Sequence, residues 1–542
     1  MKNNKRPLHG FIVCLLVTVC MSMVVGCGTQ SATPSPNQQV TDKPKTGGTI
    51  TVASPYEVDT LDVHKTTGGN ESVTWNLGAS LLSKDPVTKE YKPYLASSYK
   101  ISEDKKTLIF FLRSGITFHD GTPLTAQSFK DNFDRIMDPK TKATAALANL
   151  SPVKNIKVLN DRSFMIELHE PNAAFLDTLS TGDFQPLSMK AIEKYGEDYG
   201  RNPVGVGPWK FESWKPGEGV TLVRNEDYQW GDPNFENQGP PRVDKLVVKT
   251  IPDFQVMTSA LESGSIDIAF DVPAKDIKKY RNNPKYQVLE RMRPGVPLSL
   301  WMNLTKPEFQ DIQVRKAFNM LVNKQAMIQA ALMGEGEVAQ TLLSPATLGY
   351  DKSLEKYGYE NNADEAKKLL DAAGWKVNSN GFREKNGKTL TLTMLTMPKY
   401  EKTAQLTQAM LGEVGIKINI QNLESAAWEE ELLKGNFDVT LMAYTAEDPD
   451  VLYQMFHSSQ IGAFNIIGLK DGILDSLLTK GRITFELNAR KQAYVEAQKR
   501  LLKQAYIVPL YAERYFTVVN SRVKGVKWTS LMPAFNDSWV GN

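Results

Sequence analysis

Past residue 27 the chain has no cysteine. Its three, Cys14, Cys20 and Cys27, all fall in the first 27 of 542 positions. Beyond that point no disulfide, no thiol nucleophile and no Cys-ligated zinc site is available. Freedom from cysteine suits a chain that works in an oxidising compartment, and a chain this long can bury a sufficient core without staples. Histidine is also scarce. His64, His119, His169 and His457 are scattered, with no i, i+4 pair, so the sequence predicts no metal site and no cofactor. Net charge is nearly absent at +3, and Lys2, Lys5 and Arg6 supply all of it, because no acid occurs in the first 26 residues. A neutral remainder leaves no electrostatic footprint for nucleic acid and no polybasic membrane patch. After residue 25 no run of about 18 apolar residues appears, so no later segment is expected to span a bilayer. A nucleophile elbow of the form Gly-x-Ser-x-Gly is missing too, as is any short-period repeat.

What is present begins with an address. Lys2, Lys5 and Arg6 precede an apolar run from Phe11 to Val25, which closes on Val24, Val25, Gly26 and Cys27. A positive start, a short apolar stretch and a small residue before a cleavage point describe a secretory signal peptide. The pattern resembles the lipobox of bacterial lipoproteins. That resemblance implies cleavage after residue 26 and diacylation of Cys27, with two chains because one gives only marginal anchoring. The expected location is extracytoplasmic, tethered to the cell membrane by lipid. Residues 28–46, GTQSATPSPNQQVTDKPKT, have almost nothing to bury and read as a flexible linker with a reach of about 25 Å.

Folded sequence is expected from residue 47, with strands and helices alternating. The residues at 48–53, 107–112, 390–397 and 416–420 read as strands. Helical spacing runs over 125–137, 314–333, 364–373 and 488–502, with Asn362 as a candidate N-cap and Gly374 as a stop. The pattern predicts a mixed α/β fold with partly parallel sheets.

Leu108 to Ala126 reads LIFFLRSGITFHDGTPLTA. A strand ends at Arg113, two tight turns follow, and a helix starts after Thr125. Adjacent residues rarely point at one substrate, so His119 and Asp120 are read as turn residues rather than a catalytic pair. Further ordered segments are VGVGPWKF at 204–211, VRNEDY at 223–228, ALESGSIDI at 260–268, Asn303 with DIQVRKA at 311–317, AKKLLDAAGW at 366–375 and YIVPLY at 506–511. Gly205, Gly207 and Gly264 are expected to hold backbone angles that a Cβ opposes, and Arg315 to form a structural ion pair. The ordered set resembles the family-5 extracellular solute-binding proteins, the peptide- and nickel-binding receptors of ABC importers, over about residues 47–542.

That resemblance implies a type II, two-lobed periplasmic-binding-protein-like fold with a hinge, in its large family-5 variant. Lobe I is expected at 47–292 plus 513–542 and lobe II at 293–512, with crossovers near Met292–Asn303 and Leu510–Tyr515. It also implies a monomeric binding protein with no catalytic residues, which closes on a short peptide or peptide-like solute and delivers it to permease subunits. In peptide-binding relatives a Trp-x-x-Asp-x-x-Asp-Pro segment sets an aspartate against the ligand amine. Here residues 442–449 read MAYTAEDP, and alignment on Pro449 puts Met442 at the tryptophan and Thr445 at the aspartate. Either Glu447, Asp448 or Asp450 supplies the carboxylate, or the ligand has no free amine there; Tyr444 offers a stacking face. In nickel-binding relatives an arginine stands in the lobe I wall. The matching segment, GDFQP at 182–186, has none, and its Phe184 and Gln185 are candidate contacts. Asn70 and Glu71 are candidates for ligand hydrogen bonds or for capping the helix that runs on through Trp75 and Leu77. The alternatives are a metal chelate or oligosaccharide as ligand, a hydrolase using two spaced carboxylates, and a signalling peptide receptor.

Overall fold

The computed structural model describes residues 43–66, 68–215, 217–529 and 532–541. The expected signal peptide, the lipobox-like residues with Cys27 and nearly all of the expected linker lie outside them. Among the described residues no helix is long and apolar enough to cross a membrane.

Where the sequence has a strong period, local structure follows it. Thr107–Leu112 is a strand as expected. Ala126–Met137 is a helix that buries Phe129, Phe133 and Ile136, and Thr125 and Ser128 cap each other's backbone N–H at its start. Ala363–Ala372 begins on Asn362, whose side chain accepts from Glu365 N. The expected single helix over 314–333 is two helices, Ile312–Leu321 and Lys324–Leu332. Asn323 causes the break, because its side chain accepts from Ala326 N and caps a new start. Among the described residues Arg315 forms no ion pair, contrary to expectation. It donates to the carbonyls of Phe309, Gln310 and Gln504, tying the first helix to the strand that follows Gln504.

Ten strands of a 12-stranded mixed sheet run through the molecule in the order Lys417–Asn422, Thr391–Thr396, Val439–Tyr444, Val296–Met302, Ile507–Asn520, Ile268–Ala269, Thr49–Ser54, Lys245–Thr250, Gly219–Arg224 and Trp209–Lys215, and the other two, Tyr286–Met292 and Gly336–Val338, pair with Ile507–Asn520 off that path. Thr49–Ser54 is parallel to both Lys245–Thr250 and Ile268–Ala269, and Thr391–Thr396 is parallel to both Lys417–Asn422 and Val439–Tyr444. The 14-residue strand Ile507–Asn520 joins the two halves. Its first part pairs with Val296–Met302, from Trp301↔Ile507 to Leu298↔Tyr511. The remainder pairs with Tyr286–Met292, from Met292↔Arg514 to Tyr286↔Asn520. A separate antiparallel sheet takes Ala96–Ile101, Thr107–Leu112, Ser163–Leu168 and Val153–Asn160 in that order.

The buried core respects the same division. Two clusters use only residues between 296 and 511. The other four use residues at 50–280 and 516–535. Among the described residues no cluster of fully buried residues mixes the two sets, and only half-buried side chains such as Phe485 pack across, so two packed bodies share one continuous sheet.

Candidate functional site

Parallel strands in a layered α/β fold leave a crevice at their carboxyl ends, and ligands bind there. Three such ends meet in this molecule. After Thr49–Ser54 come Tyr56, Gly69 and the short helix Glu71–Leu77 with Glu71 and Trp75. After Ile268–Ala269 come Phe270 and Asp271. After Val439–Tyr444 comes Thr445. Together with Asp183, Tyr515, Thr517, Trp528, Met532 and Pro533 they line a cavity of about 260 Å3. A smaller one of about 80 Å3 shares Glu71, Trp75, Met532 and Pro533 with it and reaches Lys84 and Asp232. The space is below the roughly 300–1,000 Å3 of drug-sized sites, which suits a compact solute.

Glu71 and Trp75 are one turn apart, so both face the cavity. Gly182 lets the tryptophan lie close, since a Cβ there would meet Trp75 Cδ1 at 2.3 Å. The indole Nε1 then donates to Asp183 Oδ1 at 3.1 Å. At the other end Asp271 holds a left-handed backbone, φ +50°, a strained state that concentrates at functional sites. Tyr56 donates to Asp271 Oδ2 at 2.7 Å. Arg293 donates from Nε to Thr445 Oγ1 at 2.7 Å and from Nη1 to Glu513 Oε2 at 2.9 Å.

All three cavity carboxyls are pushed above the usual carboxylate range. Burial is the main cause for each. Asp183 adds to it for Glu71. The Trp75 hydrogen bond opposes it for Asp183, as do Tyr56 and Arg293 for Asp271. Burial works against the Arg293 charge, but Tyr515, Tyr400 and Glu513 around it raise its pKa.

The residues singled out in the sequence fall in different places. Glu71 and Thr445 line the cavity. Asn70 sits just before the helix but does not cap it: its Nδ2 donates to Thr60 O. Phe184 packs in the core beside the small sheet. Gln185 is buried and donates to Thr74 O at 2.9 Å. Tyr444 meets Phe464 edge-on, ring centroids 6.0 Å apart.

The three acids after Thr445 are held by cations of the protein itself. Glu447 pairs with Arg291, and with Lys84 at 3.4 Å. Asp448 takes two bonds of 2.6 Å from Arg490. Asp450 is bound by Arg482 and by the Tyr494 hydroxyl at 2.8 Å. Burial would raise the Glu447 and Asp448 pKa values. Lys84 and Arg291 outweigh it for the first, Arg490 for the second, and both stay below the usual range.

Lys84 also binds Asp177 at 2.6 Å and is almost fully buried, so a charged network joins the two packed bodies behind the cavity. Ala173 N donates to Arg482 O at 2.8 Å across the same boundary.

Two motifs brace the cavity helix. His119 contacts Gly207 O at 3.0 Å through Nε2 and accepts from Gly205 N through Nδ1, which makes it a clasp between turns. Gly264 has the expected positive φ of +77°. Gly205 and Gly207 do not; they are required by proximity. A Cβ on either would lie 2.2–2.5 Å from the backbone of Leu77 or Gly78, at the end of the cavity helix.

Sequence reasoning passed over Tyr56, Trp75, Asp183, Asp271 and Trp528, which line the cavity, and Arg293, which holds Thr445 at its edge. Trp75 had a usable signal, because i, i+4 spacing puts it on the face of Glu71.

Residues 90–463 match the model of the bacterial extracellular solute-binding proteins, family 5 Middle. The oligopeptide-binding protein AppA of Bacillus subtilis is 25% identical over 99% of both chains. The ABC transporter-associated periplasmic binding protein DppA of Helicobacter pylori, solved with the peptide STSA, superposes with a TM-score of 0.75 at 26% identity, covering 92% of this chain and 99% of that one. NikZ of Campylobacter jejuni, solved with Ni(L-His), gives a TM-score of 0.72 at 26% identity, covering 90% and 97%.

Proposed function

The chain belongs to the family-5 bacterial extracellular solute-binding proteins, and from that membership we propose that it captures a short peptide or peptide-like solute and hands it to permease subunits at the membrane. It is an extracytoplasmic transport component and not an enzyme, so its work is capture without bond making or breaking. In this reading Cys27 carries the lipid anchor, residues 28–46 are the tether, and the receptor acts as a monomer. Lobe I comprises 47–292 with 513–542 and lobe II comprises 293–512. The lobes rotate where Tyr286–Met292, Val296–Met302 and Ile507–Asn520 cross between them, as hinged binding proteins do.

The observation that carries the reading is the cavity. It lies at the carboxyl ends of strands from both packed bodies, and aromatic faces alternate in it with a few polar groups. Such sites take solutes that present both apolar and hydrogen-bonding surface. Of the residues chosen from sequence, Glu71 and Thr445 are proposed as direct contacts. Asn70, Phe184, Gln185, Tyr444, Glu447, Asp448 and Asp450 are proposed to shape and stiffen the walls around them.

Native mass spectrometry of the purified chain tests the ligand class. Peptides are expected among co-purified molecules; recovery of only sugars or metal chelates overturns the peptide assignment. Fractionation tests the anchor: Cys27→Ser is expected in the medium, and retention in the membrane fraction counts against lipidation.

A further inference from the structure

A third cavity, of about 240 Å3, begins where the 260 Å3 cavity ends. Both are lined by Tyr56, Asp271 and Tyr515, so these side chains form the wall between them. Val272, Pro273, Leu332 and Phe516 give the third cavity its apolar surface. Its charged groups are already matched: Arg293 pairs with Glu513 at 2.9 Å, Glu335 with Arg281 at 2.6 Å, and Arg514 with Glu337. A space of that kind can take a neutral length of chain and demands no charge from it.

The two tyrosines of the wall are held differently. Tyr515 belongs to the strand Ile507–Asn520 and is paired there with Arg291. Its hydroxyl lies 3.4 Å from Thr445 Oγ1, and the Arg293 guanidinium sits 5.8 Å from its ring. Tyr56 lies past the end of Thr49–Ser54, in neither strand nor helix. It is 47% exposed, although an aromatic ring is favourable to bury. The far end of its side chain is held by the hydroxyl, which donates to Asp271 Oδ2 at 2.7 Å. That acceptor is anchored on both sides, since Phe270 N donates to Ala53 O and Val272 N to Phe516 O, each at 3.0 Å. Gly69 backs the near end: its φ is +86°, and a Cβ there would meet Tyr56 Cβ at 3.2 Å. The ring is braced at both ends across the passage from one cavity to the other, while much of its surface stays open.

We propose that Tyr56 sets the length of the solute. Its ring closes one end of the 260 Å3 cavity, so the receptor takes short solutes whose end abuts the ring and rejects those that would run on into the third cavity. This rests on the proposed solute-binding role and adds a length limit to it. An extended chain advances only about 3.3–3.6 Å per residue, so removing one aromatic ring and opening a space of similar volume admits further residues.

The test uses the full purified chain, freed of bound solute by denaturation and refolding. An equimolar mixture of peptides two to eight residues long is offered to the receptor, and bound species are read by mass spectrometry. The parent is expected to retain only the short lengths. In Tyr56→Ala the longest retained peptide is expected to gain at least two residues, with peptides beyond the parent's limit enriched at least fivefold. Adding Ala274→Trp, which fills the third cavity, is expected to restore the parent's limit. A parent that retains every length, an unchanged range in Tyr56→Ala, or a longer range that Ala274→Trp does not reverse overturns the length assignment and leaves the peptide reading standing. Retention of no peptide by parent or variant removes the peptide reading, and the wall is then tested without a solute. Met532 lines the first cavity and Ala274 the third. With Cys14, Cys20 and Cys27 replaced by serine, Met532→Cys and Ala274→Cys are introduced together and treated with bis-maleimides of graded length. Cross-linking at least fivefold greater with Tyr56→Ala than with Tyr56 in place upholds the wall; equal cross-linking overturns it.

Discussion

At the scale of the residue, Asp183 and Phe184 divide the roles that one short segment offers. The 3-10 turn Gly182–Phe184 sends the phenylalanine into the core and the aspartate to the cavity. An acid buried there, with no ion pair among the described residues, works against the ligand-free fold. Its raised pKa means that the folded state binds the proton more tightly than the unfolded chain. The associated stability is present below the ordinary aspartate value, near 4, and is lost as pH rises through the higher folded value. The expected result is that ligand-free Asp183→Asn is more stable than the parent at pH 7, by about 0.5–2 kcal/mol. That advantage should shrink as pH falls toward about 4, as followed by urea unfolding at several pH values. A parent that is the more stable at pH 7 would show that Asp183 is satisfied from within. Sequence alone could not have separated these neighbours. The segment was legible as a cavity wall, but a one-residue change of direction depends on the turn type, and the tight approach of Trp75 to Gly182 sets that turn. The acids at 447, 448 and 450 show the converse. Their charge was legible, but their partners Lys84, Arg291, Arg482 and Arg490 lie 32–363 residues away along the chain.

At the scale of the element, the cavity helix Glu71–Leu77 is too short to hold itself. It is fixed by contact: Gly207 N donates to Leu77 O at 2.9 Å, and His119 grips the same turn from the other side. Gly207→Ala would set a Cβ 2.5 Å from Gly78 N and Leu77 C, where only backbone can yield. The expected cost is about 1–3 kcal/mol in stability, with weaker solute binding because Glu71 and Trp75 move with the helix. A variant with parent stability and affinity would mean that the turn has slack. Strands and helices with clear periodicity, such as Thr107–Leu112 and Ala126–Met137, were legible because one face is apolar and the other is not. The break at Asn323 was not, because the apolar spacing continues across it and only the capping preference of one residue marks the stop.

At the scale of the molecule, the charged network of Lys84, Asp177, Glu447 and Arg291 lies where the two packed bodies meet. Buried ion pairs are weak sources of stability, but they can fix one arrangement against others. Separating the bodies would leave Lys84 and Glu447 each short of a partner, so the network favours the arrangement in which the bodies meet. Glu447→Gln removes one charge from both of its pairs. It is expected to raise the ligand-free radius of gyration in small-angle scattering and to weaken solute binding by about 1–3 kcal/mol. An unchanged radius and affinity would reduce the network to packing. Added ligand should compact both forms, and no change at saturation would count against hinge closure.

The strand Ile507–Asn520 also sets a schedule. Ile268–Ala269 and Tyr286–Met292 find their antiparallel partner only in its second part, and Val296–Met302 pairs with its first. Neither body can finish its sheet until residues 507–520 are available. Contacts this distant in sequence form slowly. A polypeptide that reaches the outside of the membrane thus stays unfinished until Ile507–Asn520 has arrived, and then both halves complete on the same strand.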